Sequence, residues 1–172
     1  GKPHSREKLL LDLSQIEGVY VPSLGQKEFK RRYISSLDSY PTHSCIVTKN
    51  TEFSQMFLIE LTRGCPQGCN FCLASHLYKP FRYRSLEVIL SQVKEGLKWT
   101  KRIGLIGGGI SSHPNLIKIC REIKILGGEV SLSSLRIQSI TPELISVLNQ
   151  KTIAVAPEAG SERLRKLINK PI

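Results

Sequence analysis

The pattern that most limits the fold is an alternation of short apolar runs with amphipathic stretches, which begins near Ser54 and repeats four times. Met56–Leu61 is a run fit for a buried strand. Ser85 then caps a helix with Leu86, Ile89, Leu90, Val93 and Leu97 on one face. Ile103–Ile106 is the second strand, and Gly107, Gly108 and Gly109 follow it. Pro114 opens a second helix with Leu116, Cys120, Ile123 and Leu126 inward and Gly127 as the stop. Glu129–Leu135 alternates as a third strand, and Thr141 and Pro142 start a helix carrying Leu144, Ile145 and Leu148. Thr152–Ala156 is the fourth strand, and Ser161 caps a last helix with Leu164, Leu167 and Ile168. Strand and helix in alternation predict an α/β fold with a parallel sheet, either open or part of a barrel.

Residues 1–50 lack this regularity and read as a small appendage or linker, leaving 51–172 as the core domain. Ser5 caps a short helix there, with Leu9, Leu10, Leu13 and Ile16 as its apolar positions. Short extended pieces follow at Gly18–Pro22, Phe29–Ser35 and Cys45–Thr48. The longest uncharged apolar run, Ile103–Ile110, is far below the ~18 residues of a membrane span. No charged start followed by an apolar core and a small-residue cleavage site is visible.

In parallel α/β sheets, ligands gather at the C-terminal strand ends. The unusual residues fall there: a cysteine loop after the first strand, the glycines after the second, Ser133–Arg136 after the third and Glu158 after the fourth. Lys79, Arg82 and Arg84 read as a solvated basic face, or as the rim of that site. The net charge of +11 favours polyanions or anionic cofactors, although the basic residues form no long tail.

Three of the five cysteines, Cys65, Cys69 and Cys72, lie within eight residues. That is no disulfide framework, and it points to a metal site in a reducing, cytoplasmic setting. His76 could complete a tetrahedral zinc site. Cys45 or Cys120 would have to supply the fourth ligand of a ferredoxin-type cluster. Both read more simply as packing residues. Three cysteines around a [4Fe–4S] cube leave one iron open to a small molecule. Gly64 and Gly68 let the loop wrap it closely.

The segment Cys65-Pro-Gln-Gly-Cys69-Asn-Phe71-Cys72 resembles the CX3CXΦC signature of the radical S-adenosylmethionine (SAM) superfamily. FLIELTRGCPQGCNFCLAS (57–75), YKPFRYRS (78–85), SSLR (133–136) and APEAGSERLRKLINK (156–170) resemble one branch of it, whose members usually carry an upstream cobalamin-binding-type domain. GVYVPS (18–23) and Arg31–Arg32 are similar to the segment that joins the two domains in that branch.

The resemblance implies a partial (βα) barrel of the radical SAM type. About four βα units are present here, after a small irregular N-terminal segment and before strands five and six. It implies a [4Fe–4S] cluster on Cys65, Cys69 and Cys72, and SAM on the open iron. Reductive cleavage of SAM would give a 5′-deoxyadenosyl radical that abstracts hydrogen from a substrate, with flavodoxin or ferredoxin as reductant. Phe71 takes the aromatic position near the adenine. Gly107 and Gly108 take the first places of a Gly-Gly-Glu-like motif that meets the methionine amino group through backbone, but Gly109 stands where that motif has Glu. Arg136 suits the SAM carboxylate, with Ser133 or Ser134 assisting, and Glu158 suits the ribose or methionine moiety. Any cobalamin would bind in a domain outside these residues. Competing readings are an RNA-modifying methylthiotransferase-like enzyme, a non-catalytic iron–sulfur or zinc module, and a scaffold that has lost SAM cleavage.

Overall fold

Strand β1, Phe57–Arg63, is the strand from which the sheet is built. The computed structural model describes residues 5–25, 29–148, 150–170 and 172. On one edge of β1 lies β3, Arg102–Gly107, in parallel, and beyond it β4, Glu129–Leu132, also parallel. The other edge carries β2, Arg82–Tyr83, which is antiparallel. The order is therefore β2-β1-β3-β4.

Two helices make the crossovers: α3, Leu86–Gly96, between β1 and β3, and α4, Leu116–Ile125, between β3 and β4. Ser85 caps α3 as read from the sequence, its hydroxyl accepting the Val88 N–H. Ile89 and Val93 of α3 and Ile119, Cys120 and Ile123 of α4 are buried with Phe57, Ile59, Leu61, Ile103 and Leu105 of the strands. Gly96 lets α3 approach β1, because a Cβ there would stand 2.4 Å from the Phe57 ring. Three shorter helices lie in the same region: α2, Leu73–Leu77, α5, Pro142–Val147, and α6, Glu162–Leu167. Thr141 and Ser161 cap the last two as expected. This mixed four-stranded sheet with alternating helices is a partial α/β barrel.

Several boundaries differ from the sequence reading. Helix α4 starts at Leu116, not at Pro114, and Leu126 lies past its end, more than a third exposed. Strand β4 stops at Leu132 instead of 135, because the chain then turns to place the Arg136 N–H on Ser111. The expected strand at 152–156 is reduced to one parallel bridge between Leu135 and Val155. Beside it, Ile145, Leu164 and Leu167 stay exposed. Strand β2 is only two residues long, too short for any periodicity to signal it.

The chain divides into two compact units, Gly1–Ser35 and Ser36–Ile172, so the break falls earlier than 50/51. Residues 42–44 explain this. They pair antiparallel with β1 through the Ser44 N–H to Leu58 and the Glu60 N–H to Thr42, at 2.9 and 3.0 Å. In the first unit Ser5 caps α1, Arg6–Ser14, and a 3-10 turn at Pro22–Leu24 ends on Gly25. No residue of α1 is buried, so its apolar positions form no core. Among the described residues the expected extended pieces form no regular strand.

The basic face is also a correction. Arg84 is fully buried, and Arg82 is nearly so, with its Nε on the Pro80 carbonyl at 3.0 Å. Arg84 spends its donors on the Glu60 carbonyl at 2.7 Å, the Leu37 carbonyl, and Thr42 Oγ1 and Glu60 Oε2 at 2.9 Å each. A guanidinium can be buried this way because each of its three nitrogens donates to an oxygen. It ties residues 37–42 to β1. Burial pushes the Glu60 carboxyl up, but hydrogen bonds from Arg63 and Arg84 outweigh it and hold the group below the usual carboxylate range.

A depressed carboxyl stabilises the fold above its unfolded pKa of ~4.3, and the gain is lost as pH falls through the folded value. Glu60→Gln should lower the urea midpoint near neutral pH, and the gap to the parent should close as pH falls below the usual carboxylate range and through the depressed value in the folded protein. A gap independent of pH would show that the carboxylate charge is not what Arg84 and Arg63 bind.

Candidate metal centre

The first parallel strand, β1, ends at Arg63 and releases the chain into the loop Gly64–Cys72. Beside it, β3 ends in the glycine turn. The two ends are in direct contact. Thr62 Oγ1 donates to the Gly108 carbonyl at 3.0 Å. A Cβ on Gly107 would stand 2.5 Å from the Thr62 carbonyl oxygen, and one on Gly108 3.0 Å from that of Gly64. Gly109 has φ +71°, and a Cβ there would stand 3.0 Å from Cys65 Sγ.

A pocket opens at these ends. Cys65, Cys69, Cys72 and Phe71 line it together with Ser134, Arg136 and Glu158. Cys65 and Glu158, 93 positions apart in sequence, thus meet at one place only through the fold. Gly107, Gly108 and Ser133 do not line the pocket. The first two are occupied in packing against β1 and its loop, and Ser134 takes the place expected of Ser133. Gly109, Gln67, Ser75, Ser111 and Lys170 line it without having been singled out as contacts. Lys170 carries no signal in isolation. It arrives because the end of α6 returns to the cysteine loop.

The electrostatics favour thiolate at one of the three cysteines. The backbone N–H of Ser75 holds the Cys72 thiol below its ordinary pKa, helped by the Ser75 hydroxyl and the Lys170 charge against the effect of burial. Ser75 is itself fully buried. Lys170 Nζ pairs with Glu158 Oε1 at 2.7 Å and lies 5.6 Å from the Phe71 ring centroid. The Phe71 ring is half exposed. Arg136 is fixed through its backbone, whose N–H donates to Ser111 Oγ at 3.1 Å, and Ser111 also bonds Ser139.

All five cysteines are free thiols. Cys120 is packed in the core, where burial pushes its thiol up to about 12. Cys45 is exposed and lies outside the pocket lining. The ring of His76 is bonded through Nε2 to the Cys69 carbonyl at 3.2 Å. Among the described residues, no three His, Cys, Asp or Glu groups converge on one metal ion. A mononuclear zinc site needs such convergence. Three thiols on one loop beside an open pocket are a soft donor set of the kind an iron–sulfur cluster takes.

Residues 59–172 match the family model of the radical SAM superfamily, and the chain belongs to that superfamily. It is 37% identical over 161 residues to an uncharacterized protein of Methanocaldococcus jannaschii, a match covering 91% of this chain and 36% of the relative. It is 41% identical over 44 residues to the bacteriochlorophyllide d C-12(1)-methyltransferase of Chlorobaculum tepidum, covering 25% of this chain and 10% of that protein. The chain thus spans little more than a third of the longer-matching relative.

The Gly109 contact makes a direct prediction. Gly109→Ala should lower iron bound per chain after anaerobic reconstitution while leaving the far-ultraviolet circular dichroism unchanged. The added methyl must press on Cys65 Sγ in a backbone conformation that costs a non-glycine residue ~1 kcal/mol. Iron at the parent level would show that the turn yields freely.

Proposed function

We propose that this chain is core sequence of a radical SAM enzyme, with Cys65, Cys69 and Cys72 holding a [4Fe–4S] cluster and SAM filling the pocket beside it. The observation that carries the reading is the meeting of three free thiols with Phe71, Ser134, Arg136 and Glu158 in one pocket at the C-terminal strand ends. When bound, the cluster and SAM supply reductive cleavage of the sulfonium and a 5′-deoxyadenosyl radical.

The chain's own residues bind and orient. Phe71 offers a half-exposed ring face for the adenine to pack on. Arg136 carries a guanidinium suited to a bidentate carboxylate. Ser134 adds a hydroxyl donor beside it. Glu158 is an acceptor for ribose hydroxyls or an ammonium, and its ion pair with Lys170 holds it in place until a ligand competes. Gly107 and Gly108 contribute by letting β3 press on the cysteine loop, a shaping role in place of direct contact. Gly109 brings no carboxylate, so Glu158 is the acidic group of the described pocket lining.

Substrate recognition is a separate matter. The short match to a methyltransferase covers a quarter of the chain, and supports shared cofactor residues more than a shared substrate. Cobalamin, if the full protein uses it, is proposed to bind outside these residues. The one-electron donor is proposed to be a flavodoxin or ferredoxin.

The test is to reconstitute the protein with iron and sulfide without oxygen, add SAM and dithionite, and measure 5′-deoxyadenosine. The parent should form it and Cys69→Ala should not. Equal yields from both, or none from a cluster-loaded parent, would overturn the proposal.

A further inference from the structure

The end of α6 is built for more than stopping a helix. Ile168 closes the helix, Asn169 takes a left-handed conformation at φ 55°, and the Asn169 and Lys170 N–H groups return to the Lys166 and Arg165 carbonyls at 3.0 and 2.7 Å. That is the doubled hydrogen-bond pattern of a Schellman end. Glycine meets its left-handed position at least conformational cost. Asn169 meets it at a higher cost, and its side chain does what glycine cannot. Its Nδ2 donates to the Gly68 carbonyl at 2.9 Å and to the Gln67 carbonyl at 3.3 Å. Those two carbonyls lie inside the turn that separates Cys65 from Cys69.

The grip is reciprocal. Asn70, between Cys69 and Phe71, donates its N–H to the Ile168 carbonyl at 3.0 Å and its Nδ2 to the Leu167 carbonyl at 2.9 Å. Four hydrogen bonds therefore join two segments about a hundred residues apart, and each uses a carbonyl that a loop or a helix end leaves open. Gly68 faces this contact in its own left-handed conformation, 3.6 Å from Asn169 Nδ2 for an added Cβ.

We infer that the Schellman end of α6 is a positioning clasp for the cysteine loop: Asn169 and Asn70 hold the turn between Cys65 and Cys69 in shape, and so set how firmly the loop retains its cluster. The inference rests on the cluster reading above, and it gives α6 a role that its exposed apolar face and short length do not suggest. Asn169 and Asn70 touch neither substrate nor iron in this role. They act through the loop backbone.

Asn169→Gly separates the two jobs of the residue. It keeps or improves the backbone cap and removes only the side-chain bonds, so the thermal midpoint should hold or rise. Amide hydrogen exchange at Gly68–Asn70 in the cofactor-free protein should quicken. Iron release to a chelator from the anaerobically loaded protein should speed up by about tenfold, the scale of one to two net hydrogen bonds. Asn169→Asp, which keeps the left-handed preference but turns an acceptor on two carbonyls, should show the same loss. Glu162→Ala, which removes an exposed ion pair with Lys166 on the same helix, should behave as the parent. Parent-level exchange and iron release in both Asn169 variants would overturn the clasp while leaving the cluster reading intact. A parent that takes up no iron would overturn the cluster reading and this role with it.

Discussion

The contact between the ends of β1 and β3 is the constraint on which the site depends. Three consecutive glycines let the β3 turn lie against Thr62, Gly64 and Cys65 with no side chain between. The Thr62 hydroxyl then bonds the Gly108 carbonyl and fixes the turn. A side chain at any of the three would push the cysteine loop away from the sheet. The thiols would then stand apart from Arg136 and Glu158, which reach the pocket from the next two loops. At Gly109, where the resemblance has an acidic residue, a Cβ would stand 3.0 Å from Cys65 Sγ.

Around that contact the chain uses charge and hydrogen bonding to hold what packing alone does not. The core proper is the layer of α3 and α4 on the sheet, extended by Ile110, Leu135, and Leu144 and Val147 of α5. At the β2 edge, the buried Arg84 joins residues 37–42 to Glu60 of β1. At the strand ends, Ser111 fixes the Arg136 backbone, and the Asn70 and Asn169 pair fixes the cysteine loop. Such devices place backbone with greater directional precision than apolar contact, which is non-directional.

Much of this was legible in the sequence, for physical reasons. Helix α3 was readable because its cap, Ser85, and its apolar spacing agree. The cysteine loop was readable because thiolates at that spacing have few other uses. Arg136 and Glu158 were readable by position, at the ends of predicted strands. The failures also have causes. Arg84 was read as a surface charge because its partners lie 24 and 47 residues away and no local pattern announces them. The strand at 152–156 has the composition of a strand, but among the described residues it pairs only with Leu135. Gly107 and Gly108 were placed at the right turn, but their close approach to Thr62 and Gly64 was not legible, since sequence shows that a glycine is present but not which backbone it must approach. Lys170 and Asn169 were invisible as site residues because their roles exist only after α6 has docked.

The central claim is that three thiols here hold a cube with one iron left open for SAM. Mössbauer spectroscopy of protein reconstituted with iron-57 tests it most directly, because it resolves individual iron sites. The account predicts a [4Fe–4S] spectrum in which one iron of the four shifts on adding SAM and the other three do not. A cluster whose four irons are all indifferent to SAM, or a protein that binds a single metal in place of a cluster, would contradict it.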